Sequence, residues 1–182
     1  AGMGVDLIFK ILKTKPEFLI EGKEFILQPQ SEWFKVRQLL KEYRYQIEKE
    51  WFLKEDGKYY VIIKAEPGWT QPQRQKHQQP SIHEYIKEIS ETPTNQTASE
   101  KEMESVYEQY GRYLIETKNP VLKEYLEKEI GKKEMIAEDL KQSIKDMESK
   151  ELSGKERGNI AKRQRRYQEL HKEIEDMRNA IR

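Results

Sequence analysis

Two apolar stripes with alternating steps of four and three run along the last third of the chain, and no other feature restricts the fold so strongly. The first comprises Leu126, Ile130, Lys133, Ala137, Leu140, Ile144 and Met147; the second comprises Ile160, Arg163, Tyr167, Leu170, Ile174, Met177 and Ile181. A mean step of 3.5 residues keeps one seam facing a partner helix. Asn119 caps the first helix, and Pro120 sits in the first turn, where its missing N–H costs nothing. Ser153 with Glu156 opens the second helix, and the short break between the two turns them antiparallel. Charge agrees with that pairing, since residues 99–152 carry a net −4 and residues 153–182 a net +4. Such rim charges select a partner more than they stabilise it, at about 0.2–1 kcal/mol per exposed pair. A further helix over 99–117, opened by a Ser99/Glu102 capping box, is expected to lie along this hairpin as the third member of a bundle.

The first third reads differently. Asp56-Gly57 separates Trp51–Glu55 from Lys58–Ile63, a strong two-residue hairpin signal, and pairing outward sets Glu55 opposite Lys58, Leu53 opposite Tyr60 and Phe52 opposite Val61. Val61-Ile62-Ile63 is apolar on both sides, which marks a strand with cover on each face. Glu21-Gly22 predicts a shorter hairpin joining 17–20 to 23–27. Between the hairpins, Ser31 caps a helix reaching about Lys49, with apolar residues at 33, 36, 40, 43 and 47. Residues 5–12 suit either a strand or a helix, with the strand preferred.

From Pro67 the composition turns to proline and glutamine, too polar to offset the cost of ordering. The expected organisation is therefore an α+β domain over 3–66, a linker over 67–98 with a short helix over 82–90, and a helical domain over 99–182 with helices at about 99–117, 120–151 and 154–181. In fold class this is α+β: a small β-hairpin/helix/β-hairpin unit followed by an α-helical bundle with an antiparallel coiled-coil-like hairpin. Charged residues make up 37% of the chain against about 25% in typical domains, so the core is thin.

Catalytic chemistry is hard to find at this level. Of the three histidines, His77 lies in the linker, His83 opens the short helix and His171 sits beside Lys172, none with a nucleophile or an orienting carboxylate nearby in sequence. There is no cysteine and no metal-ligand spacing. A phosphate-cradling glycine loop is also lacking, Gly2-Met3-Gly4 being the nearest approach. Neither cofactor, metal nor small-molecule substrate is expected. Ala1-Gly2 before Met3 reads as an appended leader, and the lack of a secretory segment and of any apolar run near ~18 residues points to a cytoplasmic protein.

The expected function is that of a non-catalytic interaction, adaptor or assembly protein, self-associating or meeting a protein partner through Leu126, Ile130, Leu140, Ile144, Met147, Ile160, Tyr167, Leu170, Ile174 and Met177. The alternative is nucleic-acid binding. Residues 155–172 carry a net +5, so Lys162, Arg163, Arg165 and Arg166 are candidate phosphate contacts, with Tyr59 and Tyr60 as candidate stacking residues.

Overall fold

The computed structural model describes residues 4–14, 24–68, 97–148 and 154–182. Contacts divide the chain into two units, residues 1–119 and residues 120–182. The Glu21-Gly22 turn, the helix expected over 82–90, His77 and His83 lie outside the described residues.

The first unit begins with helix α1 (Val5–Thr14), where a strand was preferred. The helix prevails because Val5 and Ile8, one turn apart, are both buried while Leu7 is left exposed, a spacing that a two-residue alternation does not give. Strand β1 (Phe25–Leu27) follows. Helix α2 (Trp33–Glu42) is shorter than the expected 31–49. Its N-cap is Glu32 rather than Ser31, and it stops because Arg44 takes a φ of +55°, turning the chain into strand β2 (Tyr45–Glu55). The last member of the predicted apolar stripe, Ile47, thus belongs to a strand.

Strand β3 (Lys58–Pro67) returns from the Asp56-Gly57 turn, whose φ values of +49° and +74° are those of the mirror-image turn that suits strand twist. The register is the one read outward from the turn: Glu55↔Lys58, Leu53↔Tyr60, Phe52↔Val61. The pairing holds through Trp51↔Ile62, Glu50↔Ile63 and Lys49↔Lys64, and an irregularity between Lys49 and Ile47 then shifts it, so that Ile47 comes opposite Ala65.

The strand order β1-β3-β2 changes the fold class. Both β1 and β2 run antiparallel to β3, so they run the same way as each other, joined through α2 with β3 slotted between them. A β-α-β crossover accompanies the expected Asp56-Gly57 hairpin, with Phe25–Leu27 pairing with Ala65–Ile63 of β3. Leu27, Phe52, Val61, Ile63 and Ala65 are buried with Val36, Leu39 and Leu40 of α2, and the Trp33 and Phe52 rings meet edge to face at 5.3 Å.

Helix α3 (Ala98–Tyr110) opens on a capping box made by Thr97 and Glu100, two residues before the expected Ser99/Glu102. It ends at Gly111, beyond which lies the single turn α4 (Arg112–Glu116). Helix α3 packs on α2, and α4 packs on β2. This segment was expected in a helical bundle; its contacts place it in the first unit.

In the second unit, α5 (Pro120–Glu148) and α6 (Gly154–Ala180) pack on each other. Leu126, Ile130, Ala137, Ile160, Leu170, Ile174 and Met177 are buried, and Leu140, Ile144, Met147 and Tyr167 are half-buried. Lys133 pairs with Glu173, Arg178 with Glu134 at 2.6 Å, and Gln164 with Glu148 at 3.1 Å, so the helices run antiparallel. No described helix is long and apolar enough to cross a membrane.

Candidate functional site

A cleft of about 490 Å³ opens where α2, β2, α3 and α4 converge. Its floor is an ion pair between Arg37 and Glu50, 4% and 2% exposed, with Nε donating to Oε1 at 2.8 Å. Helix α2 carries Arg37 one turn beyond Trp33 and next to Val36, so packing drags the guanidinium inward. Two residues before the buried Phe52 on β2, Glu50 faces the same side as its cross-strand partner, the buried Ile63.

Arg37 does more than neutralise Glu50. Its Nη1 donates to the carbonyls of Glu108 and Gln109, at 3.3 and 2.8 Å, closing the last turn of α3 with a cation where the helix dipole is negative. Gly111 makes this approach geometrically feasible. Its φ of +93° suits glycine, and a Cβ there would lie closer than 3.0 Å to Glu50 Oε2 and 3.0 Å from Arg37 Nη2. Those two atoms, buried and without a hydrogen-bond partner, face the glycine. Burial pushes the Glu50 carboxyl above its ordinary value, against the pull of the Arg37 charge and hydrogen bond.

The rim is ionic. Lys41 donates to Glu104 at 3.0 Å and to Glu108 at 2.6 Å. Arg112 donates to Glu104 at 2.6 Å and lies 4.2 Å above the Tyr107 ring. Burial raises the Glu104 carboxyl, but Lys41 and Arg112 together outweigh it and hold the group below the ordinary range. Every carboxylate so described is engaged by a cation, so the cleft joins α3 to α2 and β2 and offers no general base. Among the described residues no cluster of histidine, aspartate and glutamate could hold a metal.

The candidate residues from the sequence lie elsewhere. Lys162, Arg165 and Arg166 are exposed on α6, whereas Arg163 is half-buried and donates to the Ser143 hydroxyl. Arg166 is also engaged, with Glu169 at 3.3 Å and Glu173 at 2.9 Å. Tyr59 leans on Phe52 at 5.8 Å, and Tyr60 points to the other face of the sheet. His171 is exposed, with its ring 4.4 Å from that of Tyr167. Sequence reasoning missed the Arg37–Glu50–Gly111 joint, although a cation inside the apolar stripe of α2 was its signal.

Comparison with known proteins overturns the functional reading. Residues 1–92 match the family model described as TrmK, tRNA (adenine(22)-N(1))-methyltransferase. The tRNA (adenine(22)-N(1))-methyltransferase of Bacillus subtilis is 40% identical over 68 residues, 37% of this chain and 29% of that protein. The crystal structure of the B. subtilis M1A22 tRNA methyltransferase TrmK superposes on all of this chain with a TM-score of 0.60 at 23% identity, and the chain covers 61% of it. A Streptococcus pneumoniae structure, described as a candidate tRNA (m1A22) methyltransferase in complex with S-adenosyl-L-methionine, gives a TM-score of 0.56 at 21% identity, with 58% of that chain covered. The chain thus spans less than two thirds of these relatives. The shared fold is Rossmann-like, which agrees with the β-α-β crossover and corrects the expectation of an α+β unit with a coiled-coil bundle. The expectation of a non-catalytic, self-associating adaptor or simple nucleic-acid binder, with no enzymatic role and no small-molecule substrate, is overturned with it. The crossover sheet and the match over half its length lead to one conclusion: this chain belongs to the tRNA (adenine(22)-N(1))-methyltransferase family.

Proposed function

We propose that the protein works in methyl transfer to N1 of an adenine in tRNA, in the cytoplasm, as the part of the enzyme that engages the RNA. The observation that carries this reading is the family match over residues 1–92, whose described part is the crossover sheet. RNA engagement is supported by α6, where the exposed Lys162 and Arg165 stand in the segment of net +5 and can each neutralise a phosphate. Arg163 and Arg166 contribute less, being engaged by Ser143 and by Glu169 and Glu173.

S-Adenosyl-L-methionine, bound by the S. pneumoniae relative, supplies a methyl group on sulfur in such reactions. The described residues do not fit it. Rossmann-type cradles need a glycine-rich turn between a strand and a helix N-terminus. Of such a turn only Gly4, before α1, is described, and the cleft carboxylates that could take ribose hydroxyls are held by Arg37, Lys41 and Arg112. No step is routed through the cofactor here.

The reading is tested by titrating the chain with a tRNA transcript across salt concentrations. Replacing Lys162 and Arg165 by Gln should weaken binding and lower the salt slope by about one unit for each residue. Absence of tRNA binding at about 50 mM salt, where counterion release drives association hardest, sinks the proposal.

A further inference from the structure

The two flanks of the α5–α6 hairpin treat their charges differently. On one flank Lys133 is engaged by Glu173, Arg166 by Glu169 and Glu173, and Arg163 by the Ser143 hydroxyl. On the other, Arg178 donates to Glu134 at 2.6 Å and Gln164 donates to Glu148 at 3.1 Å, each bond crossing from α6 to α5. These two rungs stand two heptads apart on both helices, from 134 to 148 on one and from 178 to 164 on the other. In an antiparallel pair with a seam of period 3.5, positions one heptad along from a rung face each other again. The rung between them is therefore Lys141 and His171, and it is open. The Lys141 side chain is 61% exposed, and among the described residues it meets only Glu138 of its own helix, at 3.5 Å. His171 is exposed too, its ring set edge to face on that of Tyr167 at 4.4 Å. Among the described residues no carboxylate joins the two sides. Glu138 and Glu175, a turn away on the same helices, are outnumbered by the exposed Lys141, Lys145 and Lys172.

We propose that this rung is a site for a backbone phosphate of RNA, which bridges Lys141 and His171 where Glu134 and Glu148 supply the acceptor in the rungs on either side. The inference rests on the proposed engagement of tRNA by this hairpin and adds to it a contact from α5. An anion is the occupant because an acceptor is what the rung lacks. The lysine ammonium donates, and so does one ring N–H of histidine in either tautomer. Tyr167, half-buried in the seam, restrains the imidazole beforehand, which reduces the ordering cost of binding. Beside the rung, Lys172 and Arg165 stand one heptad apart on the outer side of α6 and carry the positive surface on toward Lys162. The RNA strand thus crosses both helices instead of following α6 alone.

The test titrates the full chain and its variants with a tRNA transcript from about 50 mM salt upward. Lys141→Gln and His171→Gln should each weaken binding about threefold or more, and Lys141→Gln should lower the salt slope by about one unit. His171→Glu supplies the missing acceptor from within the protein and closes the rung on Lys141. Its thermal midpoint should equal or exceed that of the parent, while its affinity for tRNA falls below that of His171→Gln. A purely structural rung gives the reverse, since the carboxylate would then leave binding intact. The proposal is overturned if both Gln variants bind as the parent does, or if His171→Glu keeps the parent's affinity. Displacement of the RNA by millimolar inorganic phosphate at matched ionic strength would mark a free-anion site and overturn the assignment to RNA. If the parent binds no tRNA, the functional reading fails and takes this site with it; if the parent binds and the variants match it, this inference alone fails.

Discussion

Arg37 and Glu50 are thirteen residues apart, yet together they decide how α3 meets the sheet. Removing one partner of a buried pair strands a charge, a loss of about 3–5 kcal/mol, whereas replacing both by apolar groups is often neutral. Arg37→Met should accordingly lower unfolding free energy by that amount in denaturant melts, and Arg37→Met with Glu50→Leu should recover most of it. Equal losses in the two variants would show that the pair itself stabilises the joint. The proton on Glu50 adds a pH signature. Its folded-state value lies above the ordinary 4.5, so its contribution to stability is complete below that value and is lost as pH rises through the folded value. Stability curves for Glu50→Gln and the parent should diverge in favour of the variant as pH rises from 4.5, because the amide has no charge to desolvate; parallel curves would refute this. Glu104, held low by Lys41 and Arg112 against its burial, contributes in the opposite sense and is common to both proteins.

At the scale of elements, punctuation was legible where the local signal was strong. The Asp56-Gly57 turn and its register follow from the requirement for positive φ at both central residues, which few other dipeptides meet. A capping box was legible near residue 99 but misplaced by two residues, since Ser99/Glu102 and Thr97/Glu100 share one pattern and only the backbone selects Thr97. Thr97→Ala should cost about 1 kcal/mol in thermal or chemical unfolding. No change on that substitution would mean that this cap leaves the helix start unaffected. Helix α2 was overrun because its stripe continues in phase to Ile47, and a non-glycine turn at Arg44 leaves no mark in composition. Helix α1 was misjudged because eight apolar-rich residues fit both periods, and the burial that decides between them is tertiary.

For the molecule as a whole, the sequence disclosed its helices more readily than its chemistry. The α5–α6 seam could be read because a 3.5-residue period is local. The crossover that makes the first unit Rossmann-like could not, because strand order depends on pairing between Phe25–Leu27 and Ile63–Ala65, almost forty residues apart. The enzyme family was illegible for a further reason: the residues that mark nucleotide chemistry are absent from those described, and what remains is scaffold. That scaffold has a temporal consequence. The strand synthesised last lies in the middle of the sheet, so β2 and β3 can zip as soon as their tight turn emerges, while β1, made far earlier, must wait for β3 before it has anything to hold. Of the three described strands, β1 is thus the first made and the last fastened, its three apolar residues accessible until residue 67 has been added.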